Sequence, residues 1–415
     1  MTTEKRRREF DLVLWGATGF TGQLVAHYLA DHPEISTVEW AIAGRNEDKL
    51  SALRDELGEQ FAALPILIGD ALDRESLDTI AARTRVICTT CGPYARYGSN
   101  LVAACVEAGT DYCDINGEPP WVREMIDAHH DEAAQRGVRI VHCCGFDSIP
   151  SDLGTYLLQS EAISRFGKPC HEVRCLVWKL RGGVSGGTAA SAADVIAQST
   201  RDKKTRRVLA DPYGLNPRGE RSGPDSPFQR RPRRDPLIDA WTGPFIMAAV
   251  NEKIVRRSNA LLDYRYGKAF RYSEASHLGK GLPAVLRATA MSAGVGLFGA
   301  AMALRPSRAL LQRLVLPSPG EGPTEETIEG GHFTLRHFGA GTDADGRNFE
   351  ISTTISADKD PGYGATALML GESALCLALD DEAGALDGGS LTPATALGDP
   401  FVKRLRSAGM TLDVD

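Results

Sequence analysis

The first candidate for chemistry is a glycine-rich heptapeptide, Gly-Ala-Thr-Gly-Phe-Thr-Gly, that spans residues 16–22. It follows an apolar run, Phe10–Trp15, typical of a buried parallel strand, and it precedes a segment with the apolar spacing of a helix. Glycines in this context allow a tight turn, a close approach of pyrophosphate to the backbone and close packing of the helix, whose N-terminus favours the negative phosphate. The alternative is a glycine-rich turn without a ligand. The residues assigned to this cofactor site are Gly16, Thr18, Gly19, Phe20, Thr21 and Gly22.

The cofactor that the heptapeptide would bind is indicated by the end of the second predicted strand. An NAD-binding protein presents an acidic residue to the ribose there, whereas this chain places Arg45 directly after Gly44. Because a guanidinium can pair with a 2′-phosphate, Arg45 favours NADP(H). The alternative is an exposed arginine that leads the next helix. Asp70 ends the third predicted strand, where the adenine edge is expected to lie.

A tyrosine-bearing loop follows the fourth predicted strand, Arg85–Thr90. The carboxyl end of this strand is expected to face the cofactor, so Gly92 and Pro93 would shape the wall around the nicotinamide. Tyr94 and Tyr97 are candidate proton donors, because hydride delivery leaves negative charge that a phenol can neutralise. A tyrosine that only packs is the alternative for both.

Polar residues also follow the next two predicted strands. Asp147 and Ser148 come after the last of them and are expected to support the substrate or to cap the following helix. Asp114, Gly117 and Glu118 occupy the comparable position one strand earlier. A carboxylate there could orient the cofactor, the substrate or only a loop, and the sequence leaves these alternatives open.

Three further motifs match other chemistries. Residues 183–187 fit the nucleophile elbow of an α/β-hydrolase, yet they come after a complete dinucleotide-binding pattern, and the serine is equally explained as a helix cap. Cys88 and Cys91 have the spacing of a redox or zinc pair but lie in an apolar strand without a second pair. Tyr264 and Lys268 resemble a dehydrogenase pair, but residues 261–272 alternate like a strand, which would keep the two side chains apart.

The elements that must position these residues alternate between short apolar strands and helices up to residue 150. This alternation predicts a doubly wound parallel sheet of the Rossmann type, and residues 1–150 are expected to form a dinucleotide-binding domain. Residues 151–360 are expected to form an α+β substrate domain. Its loop at Asn216–Pro236 is rich in Pro, Gly and Arg. The runs predicted to be extended are Glu172–Leu180, Lys253–Asn259 and His332–Phe338.

The composition excludes several classes of protein. The chain has 415 residues, of which 42% are hydrophobic and 24% charged, so it is neither fibrous nor disordered. Its net charge of −7 disfavours a nucleic-acid binder with a generally basic surface, and no nucleic-acid partner is expected. Nine cysteines without a disulfide pattern favour a reducing, cytoplasmic environment, and no metal site is expected.

Two surface features bear on partners. Residues 288–304 carry no charge, and a buried or amphiphilic helix is expected there; peripheral contact with a membrane or with an acyl chain is the alternative. Basic clusters in an acidic protein are usually solvated loops, but they could also dock an acidic partner such as an acyl carrier domain. A homo-oligomer is left open. The clustered residues are Arg201, Lys203, Lys204, Arg206, Arg207, Arg230, Arg231, Arg233 and Arg234.

Several motifs together resemble the saccharopine dehydrogenase-like NADP-binding oxidoreductases. They are, in chain order, GATGFTG, AGRN, TTCGPYARYG, GTDYCDINGE and CGFDSIPSD. The resemblance continues in VSGGTAAS, DPGYGATALML and LTPATALGDP, so it covers the whole chain. Within this family, DPYGL, IVRRSNAL and FRYSE are similar to the trans-acting enoyl reductases of actinobacterial lipid biosynthesis.

The resemblance implies a Rossmann domain, an inserted substrate domain and a segment, residues 361–415, that returns to the Rossmann domain. It also implies that NADPH reduces the α,β double bond of a polyketide or fatty acyl thioester presented by a separate synthase, with Tyr94 as the first candidate donor and Asp147 and Ser148 as polar support. A saccharopine-type imine reductase is the alternative within the same class. A lipid-associated protein that binds the cofactor without turnover is the alternative from another class.

Overall fold

A computed structural model gives the fold and describes residues 8–182, 186–304, 306–308, 311, 326–327, 330–380 and 384–415. The N-terminal part alternates strands with helices, as the sequence predicts. Its elements are β1 (Phe10–Trp15), α1 (Phe20–Ala30), β2 (Trp40–Gly44), α2 (Glu47–Glu56), β3 (Ile66–Ile68), α3 (Arg74–Ala82), β4 (Thr84–Thr89), α4 (Tyr94–Tyr97), α5 (Ser99–Ala108), β5 (Asp111–Asp114), α6 (Pro119–Arg136) and β6 (Arg139–Val141).

The rest of the chain builds a second layer and then returns to the first. Its elements are α7 (Ile149–Phe166), β7 (Cys170–Arg181), α8 (Gly186–Arg201), α9 (Lys203–Ala210), β8 (Arg233–Asp235), β9 (Ala240–Gly243), α10 (Ala248–Leu261), β10 (Arg271–Gly279), α11 (Gly281–Ala303), β11 (His332–Thr342), β12 (Asn348–Ala357), α12 (Gly364–Leu379), β13 (Gly389–Leu391), α13 (Pro393–Ser407) and β14 (Thr411–Val414).

The first sheet has the strand order β13-β6-β5-β4-β1-β2-β3, and every neighbouring pair in it is parallel. Strand β1 lies between β2 and β4, so the direction of winding reverses there. Ligands of such sheets bind at this reversal, outside the carboxyl ends of the strands. The predicted doubly wound Rossmann sheet is therefore confirmed.

The second sheet has the order β14-β12-β11-β7-β10-β9-β8. Strand β7 pairs in parallel with β10, and the other pairs are antiparallel. Side chains of β11 and β12 alternate between buried and half-buried positions. The buried face packs against α7, which links the two layers.

Two of the predicted extended segments are wrong. Lys253–Asn259 lies inside helix α10, where buried charged residues interrupt the apolar spacing; Glu252 and Arg256, for example, pair across one helical turn. The chain turns after α10, where Asp263 and Tyr264 have positive φ angles of 51° and 55°, and the next strand begins only at Arg271. The predicted strand over residues 261–272 is thus mostly a turn.

The C-terminal segment contributes to both sheets. Strand β13 pairs with β6 in the first sheet, whereas β14 pairs with β12 in the second. Helix α12 is buried from Ala365 to Ala378, as expected for a helix that is apolar on all sides. Its one acid, Glu372, accepts hydrogen bonds from Tyr28 at 2.5 Å and His32 at 2.9 Å on the α1 side. The domain boundaries at residues 150 and 360 stay a prediction.

A tight contact between α7 and the second sheet gives the first testable prediction. A Cβ atom at Gly154 would overlap the buried ring of His337. We expect Gly154→Ala to lower the free energy of unfolding by about 1–3 kcal/mol, because neither the helix backbone nor the ring has room to move. Urea unfolding followed by circular dichroism measures this change.

Gly294 in α11 is the matched control, because nothing lies within 4 Å of a Cβ atom added there. Gly294→Ala should be neutral or stabilising by up to about 1 kcal/mol, since alanine favours the helix. Adding His337→Ala to Gly154→Ala should restore part of the loss that the overlap causes. Equal stability of the two glycine variants would contradict the prediction.

Candidate functional site

The glycine-rich loop after β1 has the geometry of a pyrophosphate site. Gly16 has a φ of 81°, a conformation that favours glycine, and a Cβ atom there would lie 3.2 Å from Thr90 Oγ1 and from Cys91 Cβ. A Cβ atom at Gly22 would overlap the carbonyl oxygen of Gly16, so only glycine lets α1 approach the loop this closely. At Gly19 the nearest atom would be 3.4 Å away, which leaves the backbone accessible.

The N-terminus of α1 is prepared for an anion. The helix has no side-chain cap at Gly19 and no acidic residue in its first turn, so its first N–H groups can bind a phosphate. The ring of Phe20 packs edge-on against Tyr363, with the centroids 4.9 Å apart. Tyr363 precedes α12, so the C-terminal segment supports the loop that would hold the cofactor.

The ends of β2, β3 and β4 come together beside this loop. Arg45 is exposed directly after β2 and makes no ion pair within the described part of the chain, as a partner for a 2′-phosphate requires. Asp70 accepts a hydrogen bond from the backbone N–H of Leu72 at 2.8 Å. Burial raises the pKa of the Cys91 thiol. The charge of Arg45 lowers this pKa and the charge of Asp70 raises it, so both side chains lie close enough to Cys91 to influence it.

Tyr94, the first candidate proton donor, is in a structural position. Its hydroxyl is buried and donates to the carbonyl oxygen of Thr89 at 3.0 Å, and its ring lies 5.5 Å from the Trp121 ring. Burial and the nearby Asp114 hold the pKa of this phenol well above its usual range. This geometry argues against the expected catalytic role. Tyr97 is half-buried at the end of α4 and stays a hypothesis.

Asp114 orients loops. Its buried carboxylate accepts hydrogen bonds from the Tyr112 hydroxyl at 2.9 Å and the His142 ring at 2.8 Å. It also accepts from the backbone N–H groups of Asn116 at 3.1 Å and Cys143 at 3.0 Å. The carboxylate therefore fixes the loops that follow β5 and β6, which is the third of the alternatives that the sequence left open.

Glu118, four residues later in the chain, has a similar role. It accepts from the backbone N–H groups of Tyr94 and Ala95, each at 2.9 Å, and from the Ser191 hydroxyl at 2.8 Å. Burial raises the pKa of this carboxyl although these three hydrogen bonds lower it. Glu118 thus joins α4 to α8, and it holds the loop that contains Gly92 and Pro93 beside the cofactor edge.

Asp147 differs from the other carboxylates at these strand ends. It is half-buried beyond the end of β6, and it makes no hydrogen bond or ion pair with any residue that the structure describes. A Cβ atom at Gly117 would lie 3.5 Å from its Oδ2 atom and 4.0 Å from the methyl group of Met247. Burial raises the pKa of Asp147 to about 6. An acid in this state can transfer a proton near neutral pH.

Ser148 is turned away from the cleft. Its hydroxyl is buried and donates to Asn251 Oδ1 at 3.1 Å. The Asn251 amide nitrogen donates in turn to Glu274 at 3.0 Å and Ser151 at 3.3 Å, which fixes the orientation of the amide. The hydroxyl proton of Ser148 is therefore engaged in the hydrogen bond to Asn251. Ser148 orients the start of α7 rather than supporting a substrate.

Sequence reasoning missed the contribution of α10. Met247 at its start lies beside Gly117, next to which Asp147 also lies, and Asn251 holds Ser148. Asn251 and Ser258 are seven residues apart and both bond to the segment around α7. Spacing by two helical turns could have revealed this face, but the segment was predicted to be extended.

The remaining motifs have no ligand-binding geometry among the described residues. Cys88 and Cys91 are free thiols, as are the other seven cysteines. No cluster of three or more His, Cys, Asp and Glu side chains suited to a metal occurs in the described ranges. In the elbow motif, residues 183–185 lie outside the described residues. The Lys268 ammonium lies over the Tyr264 ring, 5.5 Å from its centroid, so the turn brings together two side chains that the sequence was expected to keep apart; the Tyr264 hydroxyl donates to Glu220 at 2.8 Å.

The parallel sheet, the glycine loop and the free Arg45 define an NADP-dependent oxidoreductase of the Rossmann type. Residues 12–141 match the family model described as the saccharopine dehydrogenase NADP binding domain. The chain belongs to the saccharopine dehydrogenase-like family, in the branch of the trans-acting enoyl reductases.

The relatives match along nearly their whole length. A trans-acting enoyl reductase of Mycobacterium bovis is 42% identical over 415 residues, which are 98% of this chain and 97% of that protein. One of Mycobacterium ulcerans is 39% identical over 419 residues, 98% of each chain. Apo saccharopine dehydrogenase (L-Glu forming) of Saccharomyces cerevisiae aligns with a TM-score of 0.49 and 16% identity, over 97% of this chain and 99% of that one.

The exposed guanidinium after β2 gives the second prediction. We expect Arg45→Ala to weaken NADPH binding by about tenfold or more, because a charge-assisted hydrogen bond to the 2′-phosphate is lost, and to leave NADH binding unchanged. Fluorescence titration of both cofactors measures this. Lys49→Ala, an exposed cation on α2, is the control and should alter neither affinity. An equal loss for both cofactors would contradict a 2′-phosphate contact.

Proposed function

We propose that the protein is an enoyl reductase that uses NADPH to reduce the α,β double bond of a polyketide or fatty acyl thioester in lipid biosynthesis. The acyl chain is presented by a separate synthase, on a carrier domain. The observation that carries this proposal is the identity of 39–42% to trans-acting enoyl reductases over 98% of the chain. A match along the whole chain includes the substrate layer as well as the cofactor layer.

The proposed reaction divides the work between cofactor and protein. NADPH held by the glycine loop and Arg45 would supply a hydride to the β-carbon, and the electron pair of the double bond would then be available at the α-carbon for a proton. We assign Asp147 as the acid whose carboxyl proton then bonds to the α-carbon, leaving the carboxylate. Its support is its position beyond β6, its lack of a partner among the described residues and its pKa of about 6.

Three neighbouring features support this assignment. Gly117 leaves space beside the carboxyl that any larger residue would fill. Asp114 and Glu118 fix the adjoining loops, so the acid stands on an ordered frame. The proposed cofactor contacts remain those that the sequence indicates: Gly16, Thr18, Gly19, Phe20, Thr21, Gly22, Arg45, Asp70, Gly92 and Pro93.

The third prediction tests the function and the acid together. The purified protein should oxidise NADPH in the presence of an enoyl thioester such as a crotonyl thioester. Asp147→Asn should lower kcat by about 10²-fold or more while NADPH binding is retained, because the amide cannot donate a carboxyl proton. Absorbance at the NADPH band measures the rate.

The pH profile gives a separate check on the same acid. Since Asp147 acts when protonated, kcat should be constant below a pH of about 6 and should fall above it. Asp358→Asn, an exposed carboxylate outside the cleft, is the control and should keep the wild-type profile. Full turnover by Asp147→Asn would refute the assignment. Oxidation with an imine and none with enoyl thioesters would favour the saccharopine-type alternative, which the family match over residues 12–141 supports.

A second function is favoured by helix α11. The sequence predicts a buried or amphiphilic helix over residues 288–304, but Leu297 in this range is 72% exposed. Leu282 and Leu286, earlier in the same helix, are 71% and 63% exposed. Among the described residues α11 is the one helix long and apolar enough to cross a membrane, with a mean hydropathy of 1.4. We infer that this surface makes peripheral contact with lipid or with the acyl chain of the substrate.

The fourth prediction tests this contact. The protein should sediment with phosphatidylglycerol vesicles, and replacing Leu282, Leu286 and Leu297 together by Gln should release it, because the buried apolar area is lost. Leu72→Gln, at a leucine that is 66% exposed outside α11, should bind vesicles like the wild type. Vesicle binding without any NADPH oxidation would favour a non-catalytic lipid-associated protein. Absence of sedimentation would remove membrane contact from the proposal.

A further inference from the structure

A concentration of unpaired positive charge lies on α9 and the loop before β8. Helix α9 exposes four cations on one side, while Thr205 and Val208 face the interior. Three further exposed arginines lie near the C-terminal end of α9: Arg230 and Arg231 in the loop and Arg233 at the start of β8. None of these seven cations forms an ion pair with a described residue. We call this surface the basic groove. Its cations are Lys203, Lys204, Arg206, Arg207, Arg230, Arg231 and Arg233.

The groove is concave and its arginine loop is anchored. A cavity of about 670 Å³ lies between Ala210 at the end of α9 and the arginine loop. The Gln229 side chain in this loop donates to the carbonyl oxygen and the hydroxyl of Thr242 in β9, both at 3.1 Å. The Arg230 guanidinium lies 4.9 Å from the Phe228 ring centroid. Three of the seven positive charges, Arg230, Arg231 and Arg233, therefore line this depression, beside the end of α9.

The groove is close to the proposed cleft. Lys253 of α10 donates to the carbonyl oxygen of Leu209 in α9 at 3.2 Å, and Arg230 is one of the charges that lower its pKa, after burial and Arg256. Met247 at the start of the same helix lies beside Gly117, as Asp147 does: a Cβ atom on Gly117 would be 4.0 Å from the methyl group of Met247 and 3.5 Å from Asp147 Oδ2. Lys253 comes six positions after Met247 in the chain, which corresponds to about 9 Å along the helix axis.

Helix α8 gives a second connection. Arg96 of α4 pairs with Asp194 of α8 at 2.8 Å, and Ser191 bonds to Glu118. The chain then continues from α8 into α9. A molecule bound in the groove would thus stand beside the elements that line the cofactor edge.

We propose that the basic groove is the docking surface for an acidic, folded acyl carrier domain, which delivers the enoyl thioester to the cleft. This inference rests on the proposed function. Charge complementarity identifies the partner, because seven unpaired cations cluster on a chain whose net charge is −7. The concave shape fits a convex protein surface, whereas a flat bilayer would meet the exposed face of α11 instead.

The test measures binding and turnover separately. The probe is an acidic acyl carrier protein that bears a crotonyl group and a fluorescent label. The triple charge reversal Arg230→Glu, Arg231→Glu and Arg233→Glu should raise its Kd by about tenfold or more and should weaken the salt dependence of binding, which the four cations of α9 partly retain. Arg347→Glu, at an arginine that is 78% exposed on the turn between β11 and β12, is the control and should bind like the wild type.

Turnover distinguishes docking from chemistry. With the crotonyl thioester of N-acetylcysteamine, which needs no docking, the triple variant should keep the wild-type kcat/KM, whereas with the carrier-borne substrate kcat/KM should fall about tenfold. Carrier binding by the wild type without turnover of either substrate would refute the proposed function and leave the docking surface standing.

Three results would overturn the docking surface. The first is unchanged carrier affinity of the triple variant. The second is an equal loss of turnover with the small thioester, which would place these arginines in the cleft. The third is a loss of binding to phosphatidylglycerol vesicles with carrier binding intact, which would identify a membrane as the occupant.

Discussion

The buried carboxylate of Asp152 connects the elements that form the cleft. It lies in the first turn of α7 and accepts hydrogen bonds from Ser258 of α10 at 2.5 Å and from the backbone N–H of Ala394 in α13 at 2.8 Å. Helix α7 continues from β6, and α13 continues from β13. Strands β6 and β13 form one edge of the first sheet, whereas α10 packs on the second. One side chain thus joins elements of both layers.

The same junction shows how the polar interior separates structural from reactive groups. Asp114, Glu118, Asp152 and Glu274 are all buried acids whose hydrogen bonds are directed at loops or helices. A buried carboxylate without such bonds is costly, so an acid that stands without them at a strand end is an exception that calls for a functional reason. Asp147 is that exception among the strand ends. The loops around it are held by the hydrogen bonds of Asp114 and Glu118.

Six of the seven strands of the first sheet could be predicted from the sequence, because most of them are short apolar runs that end at a Gly or a polar residue. The seventh, β13, is Gly-Ser-Leu and carries no such signal. The glycine loop, Arg45 and Asp70 follow from the same pattern, since their positions are local to strand ends. The second layer could not be predicted as well. Helix α10 buries Glu252 and Arg256 as a pair, so its sequence lacks the apolar periodicity by which a helix is recognised in a sequence.

Long-range packing explains the other differences. The burial of Tyr94 depends on Trp121, which a local pattern cannot connect to it. The apolar composition of α11 indicates that another surface covers this helix, but composition does not identify that surface. Spacing placed Ser148 and Asp147 side by side at one strand end. The partner that removes Ser148 from the cleft, Asn251, lies 103 residues away in the chain.

The pairing of β13 and β14 with different sheets has a consequence for synthesis on the ribosome. When the chain has emerged only as far as β12, β6 is an open edge strand, the slot for α12 is empty and the second sheet lacks its last strand. Neither layer can close until the final helices and strands have left the exit tunnel. We therefore expect the nascent protein to expose apolar surface until its C-terminal segment has been synthesised, a state in which proteins are prone to aggregate.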